Sequence, residues 1–205
     1  GKVSSFKYDS SDESSLSHNS VKVLFPDNQG GIWAGTYYGG VCYYHKSRNR
    51  FRMFSEGSDS RHLNDNVVSC IYEAPDETLW IGTNGGGINE YDRKTGNFRY
   101  YRFTSRQGAP YDSNDVKAFY CLPDGRHMLI GLYHGDLSIL DRFTGNIRHL
   151  NSPWNIVSIS PLDEDHLILF RVVSVDEVAV AEVGEVLDDR RLLRARVVRV
   201  ADLGG

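Results

Sequence analysis

TLWIGTNGGGINEYD, running from Thr78 to Asp92, decides the fold, because it recurs 47 positions earlier as GIWAGTYYGGVCYYH, Gly31 to His45. Trp33 falls on Trp80 and Phe51 on Phe98, and the match extends over Asn19–Phe54 and Asn66–Tyr101. A weaker copy, HMLIGLYHGDLSILD (His127 to Asp141), follows 49 positions after the second. Periods of about 40 to 50 residues, built of short apolar runs and Gly-rich turns, are those of propeller blades.

Working outward from Trp80, each unit divides into four strands. VVSCIYEA (67–74) is the first, and Pro75-Asp76-Glu77 is a turn whose Pro and Asp favour chain reversal. TLWIGT, then INEYD, then NFRYYRF (97–103) supply the other three. Asn84-Gly85 is a strong hairpin signal, since both residues tolerate positive φ, and Gly145 in DRFTGN sits where a left-handed residue is wanted. The expected fold is all-β, a partial β-propeller of four-stranded antiparallel blades, about three and a half of them, with an atypical C-terminal segment. The blade units read as 19–54, 66–103, 115–150 and the start of a fourth at 155–170. GKVSSFKY (1–8) matches GNFRYYRF (96–103) and reads as the end of a preceding blade, so the chain is expected to begin inside the array. After Phe170 the aromatics vanish and Lys gives way to Arg. Residues 171–205 form a Val/Arg-rich tail, read either as unrelated sequence or as a degenerate blade with strands at 172–186 and 192–200.

A formal charge of -4, with no Lys/Arg block before residue 190, argues against nucleic acid, which needs a clustered basic surface. Cys42, Cys70 and Cys121 form no CxxC pair and occupy non-equivalent repeat positions, as buried thiols would. There is no apolar run of the roughly 18 residues that a membrane span needs, so no membrane contact is expected within this chain. No HExxH or His/Cys cluster has metal spacing and no GxSxG elbow occurs, so neither a metal, a cofactor nor catalysis is expected. The triple glycine at 85–87 has no helix behind it, which a phosphate cradle requires.

Residues that repeat are expected to serve the scaffold: Trp33, Trp80 and Leu129 as fillers between blades, and Gly35, Gly82 and Gly131, with Gly40 and Gly87, as sites of close backbone approach or turning. Asp27, Asp76, Asp124 and Asp163 to Asp165 read as turn formers. Function is expected in what varies on the face shared by the second turns and the inter-blade loops (9–18, 56–65 and 104–114). That set is Tyr37, Tyr38, Asn84, Tyr133 and His134 from the turns, and Arg61, His62, Arg106 and Tyr111 from the loops. Aromatic faces beside hydrogen-bonding side chains suit an oligosaccharide.

The LWIGT and Gly-Gly elements, the Tyr-Asp that follows, and the lead-in SLSHNSV (Ser15 to Val21) resemble the two-component regulator propeller repeat. The resemblance covers about residues 1–170, and the third copy departs from it at Leu129, Leu132 and Asp136. It implies the periplasmic sensor region of a hybrid two-component system: a non-enzymatic, ligand-sensing fragment of a homodimeric receptor anchored in the inner membrane and signalling to a histidine kinase. The rival readings are a propeller-type glycan hydrolase or lyase and a protein-interaction scaffold.

Overall fold

The computed structural model describes residues 4–48, 50–103, 114–133, 137–150, 156–161, 167–174, 177–183 and 195–199, with side chains described up to Leu167. It contains four four-stranded antiparallel sheets, each with its strands in chain order, which are the blades of a partial β-propeller. Two units contain two sheets each, Gly1–Arg102 and Phe103–Gly205.

The first unit holds β1 (Val21–Pro26), β2 (Gly31–Thr36), β3 (Val41–His45) and β4 (Arg50–Phe54), followed by β5 (Val68–Glu73), β6 (Leu79–Thr83), β7 (Gly87–Asp92) and β8 (Asn97–Tyr101). Alternation along each strand sends one row of side chains between the two sheets. The row Phe25–Trp33–Tyr43–Arg52 runs across the first sheet in register. Trp33 is 2% exposed and packs on Tyr43, Phe54 and Tyr91 with ring centroids 4.5, 5.6 and 5.9 Å away. Leu63, Val68, Ile71, Leu79, Ile81 and Phe98 complete this core. Truncating a Trp buried in this way costs about 3–5 kcal/mol.

The repeated glycine of the second strand has a steric cause. A Cβ on Gly35 would lie 2.6 Å from Val68 Cγ1, on the first strand of the next sheet. In the second unit a Cβ on Gly131 would lie 2.7 Å from Ile156 Cγ2, on the equivalent strand. Each glycine therefore sets how closely one blade seats on the next.

The lead-ins before β1, before the first strand of the second sheet and before that of the third are held the same way. Asn19 Oδ1 accepts from Tyr8 N at 2.8 Å, Asn66 Oδ1 from Glu56 N at 2.7 Å, and Asn114 Oδ1 from Phe103 N at 2.8 Å. Leu16 and Leu63 anchor the first two lead-ins in the core. Residues 4–8, expected to end a preceding blade, form no strand here, and Phe6 is ring-packed on Tyr44 and Phe51 at 5.1 and 5.5 Å.

The second unit holds β9 (Asp115–Cys121), β10 (His127–Tyr133), β11 (Ser138–Asp141) and β12 (Ile147–His149), then β13 (Ile156–Pro161), β14 (Leu167–Ser174), β15 (Glu177–Val183) and β16 (Ala195–Arg199). Its core gathers Leu129 with Ala118, Leu122, Leu137, Ile139 and Ile156. β14 runs across the compositional break at Phe170/Arg171, and β15 pairs with both β14 and β16.

One turn departs from expectation. Asn84 keeps a negative φ, because its N–H donates to Val67 O at 2.9 Å; the positive values fall on Gly85 and Gly87, making a three-residue turn. Glu77 has φ 67, in the place taken by Gly30 (φ 80) in the first sheet and Gly125 (φ 66) in the third.

Candidate functional site

The first strand of each well-formed sheet begins with a bulge. Pairing skips from Val21 to Val23 in β1 and from Val116 to Ala118 in β9, so Lys22 and Lys117 are the extra residues. A bulge re-aims the side chain it carries. Lys22 Nζ stands 4.7 Å from the ring centroid of Tyr37, and in the second unit Lys117 Nζ stands 5.5 Å from that of Tyr133. Both tyrosines come from the variable second turn, and both lysines escaped the sequence reading, because a one-residue bulge leaves no mark in composition or period.

In the first sheet the second turn is built tightly. Tyr37 N donates to Ser20 O at 3.0 Å, Gly39 N to Thr36 Oγ1 at 2.9 Å, and Gly40 N to Asn66 O at 3.0 Å. With the backbone so held, Tyr38 projects outward, 62% exposed. Its ring meets Tyr37 edge-on at 4.3 Å and His18 edge-on at 6.0 Å. The Tyr37 hydroxyl beside it holds the Tyr38 phenol above its ordinary range. His18, Lys22, Tyr37 and Tyr38 thus form an accessible group of rings with a cation at its edge. Sequence reasoning reached the two tyrosines, while His18 lay within the lead-in motif and was not singled out.

In the second sheet, Asn84 and its turn adjoin a closed polar network. Buried Asn89 donates through Nδ2 to Asn64 Oδ1 at 2.9 Å and accepts from Asn64 N at 2.9 Å, and Asn64 Nδ2 donates to Gly86 O at 2.6 Å. These groups satisfy one another and pin the inter-blade loop to the turn.

Arg61 and His62 do not join the tyrosines. Asp59 takes Arg61 NH2 at 2.8 Å and His62 Nδ1 at 2.7 Å, and these bonds hold its carboxyl well below the usual range. Tyr100, on the outer strand β8, donates to His62 O at 2.7 Å. The loop folds outward over β8, which places both side chains at the rim. Arg106, Tyr111 and His134 lie outside the described residues.

The opposite ends of the strands carry a different cluster. Asp27 Oδ1 accepts from Gly31 N at 2.7 Å, as a turn former should, but Oδ2 also accepts from Trp33 Nε1 and from Arg93 NH1, both at 2.9 Å. Arg93 NH2 reaches Glu73 Oε1 at 2.7 Å, and Glu73 Oε2 accepts from Asn28 N at 3.0 Å. Burial raises the Asp27 carboxyl, but the bonds from Trp33, Gly31 and Arg93 outweigh it and leave it lowered. Arg93 thereby ties the second sheet to the first. Asp76 and Asp124 accept from backbone N–H groups of their own turns, Thr78 at 3.3 Å and Arg126 at 2.8 Å, and Asp124 Oδ2 also meets His127 Nδ1 at 2.6 Å.

The two-component regulator propeller family profile matches residues 15–38 and 62–85, which end within or beside the second turns just described. A search of curated protein sequences finds no match. Among solved structures, the chain is similar to the extracellular domain assigned to the hybrid two component system BT3049 from B. thetaiotaomicron, at TM-score 0.72 and 22% identity over 96% of this chain and 24% of that one. It is also similar to the extracellular domain of BT4673 from the same organism, assigned to a hybrid two component system, at TM-score 0.69 and 17% identity over 95% of this chain and 24% of that one. The chain therefore spans about a quarter of the length of these structures, and at such identity the likeness concerns the fold. Residues 15–38 and 62–85 are repeats of the two-component regulator propeller family.

Proposed function

We propose that this chain is part of a ligand-sensing propeller on the extracellular, periplasmic side of a two-component receptor, and that the turn face of its first sheet takes an oligosaccharide. The regulator repeats and the kinship of fold with extracellular domains of such systems support the sensor reading. The observation that carries the ligand class is the His18–Tyr38–Tyr37–Lys22 group: an exposed Tyr38 ring on a well-bonded turn, with the half-buried Tyr37 and His18 rings and the Lys22 ammonium beside it. Sugar C–H faces stack on such rings while hydroxyls take the phenol, imidazole and ammonium groups. A receptor state that binds the sugar better would be favoured by exactly that difference in affinity, which is how occupancy would reach a kinase.

Isothermal titration of the chain with oligosaccharides from polysaccharide digests tests this reading. Binding is expected for at least one digest, with loss of about tenfold or more in affinity in Tyr38→Ala, in line with one well-placed aromatic contact. Binding that survives the Tyr37→Ala/Tyr38→Ala double change would refute the site. Turnover of the oligosaccharide during the titration would favour the hydrolase or lyase reading instead.

A further inference from the structure

At the hairpin ends of the first unit, away from the tyrosine turn, a cleft of about 380 Å³ opens between β3–β4 and the turn after β7. Its volume lies within the range of small-molecule sites, about 300–1,000 Å³. Tyr43, Phe54 and Tyr91 line it from the inter-sheet core, and His45, Arg48 and Arg52 stand around it. The aromatic side is fixed by packing: Tyr43 lies on Trp33 at 4.5 Å, and Phe54 meets Tyr91 at 5.2 Å.

The charges around the cleft are unequal. Arg93, which also lines it, is matched by Asp27 and Glu73. Arg50 lies outside the cleft. Among the described residues no carboxylate pairs with Arg48 or Arg52, and the Arg52 guanidinium lies over the Phe54 ring, 4.6 Å from its centroid. Asp12 and Glu13 border a wider depression shared with both arginines, but they do not line the cleft itself. Two unmatched guanidinium forks therefore flank an aromatic wall in a chain whose formal charge is -4. A guanidinium presents paired N–H donors that fit a carboxylate, and stacking on a ring orients it.

We propose that this cleft binds a small cyclic carboxylate, with its anionic group on Arg48 and Arg52 and its ring face on the aromatic wall at Tyr43. The site is separate from the tyrosine turn and stands or falls independently of oligosaccharide binding there. Binding would also bridge the two sheets, because the cleft takes Tyr43 from one and Tyr91 from the other.

The test uses the 205-residue chain, titrated at constant ionic strength with sodium benzoate, benzamide and sodium sulfate, following the Trp33 indole and arginine side-chain N–H resonances. Benzoate is expected to bind about tenfold or more tightly than benzamide, since a charge-assisted pair is roughly twice as strong as a neutral one. Arg48→Gln, at an exposed position, is expected to weaken benzoate several-fold, and the Arg48→Gln/Arg52→Gln double change to abolish the preference for benzoate over benzamide. Equal binding of benzoate and benzamide, or a double variant that binds benzoate like the parent, would overturn the proposal. Sulfate binding as tightly as benzoate would overturn the role of the ring.

Discussion

The two ends of the strands in the first unit use polar residues in opposite ways. At the hairpin end, Asp27, Arg93, Glu73 and the Trp33 indole close on one another, within and between the sheets. At the turn end, the backbone is equally well bonded, but Tyr38 and its neighbours are left facing outward. The first cluster holds the blades together, so the second can display variable side chains without disturbing them.

Asp27→Ala tests the closed end most severely. It leaves Arg93 and the Trp33 N–H without their shared acceptor in a mostly buried place, and should cost about 3–5 kcal/mol, read as a lowered midpoint of urea unfolding. The same group predicts acid sensitivity. A carboxyl whose folded pKa lies below its unfolded value contributes stability above the ordinary carboxylate range, and loses it as pH falls through the folded value. Asp27→Asn should flatten that part of the stability–pH curve, and an unchanged curve would show that Asp27 contributes nothing to it.

Gly35→Ala attacks the seating of one blade on the next. The added methyl meets Val68 at 2.6 Å, and overpacking of this kind costs about 1–3 kcal/mol. Glu77→Gly should act in the other direction, raising stability by about 1 kcal/mol, because a β-carbon in the left-handed region costs about that much. A loss of stability on that change would mean that the Glu77 side chain contributes more than its backbone strain. The smallest effect on folding is expected from Tyr38→Ala, within about 0.5 kcal/mol as for an exposed substitution. A large loss of stability there would collapse the distinction between the two ends.

Period, strand order and turn positions were all legible, since they rest on local apolar patterning and on residues such as Trp33 and Trp80 that recur at a fixed spacing. Gly35 was legible as a close approach, but its neighbour Val68 was not, because that contact belongs to the next repeat. The Arg93–Asp27 bond joins residues far apart in the chain, and Arg93 lies in a turn that reads as an ordinary hairpin. Lys22 looked like one more strand residue until the bulge turned it toward Tyr37. The placing of Arg61 and His62 was not legible, because the contacts of Asp59 and Tyr100 that draw their loop over β8 join residues of different elements.

The asparagine before the first strand of three sheets has a consequence for which parts of a loop are free to change. By fastening the lead-in to the segment that leaves the previous outer strand, Asn66 and Asn114 close their loops at the neck. In the loop closed by Asn66, Leu63 in the core and Asn64 on the Gly86 carbonyl are fixed as well, so it is the exposed stretch 57–61 that can change without altering where the following blade starts. That exposed stretch is in this sense a cassette, able to carry a new surface while the strands on either side stay in register.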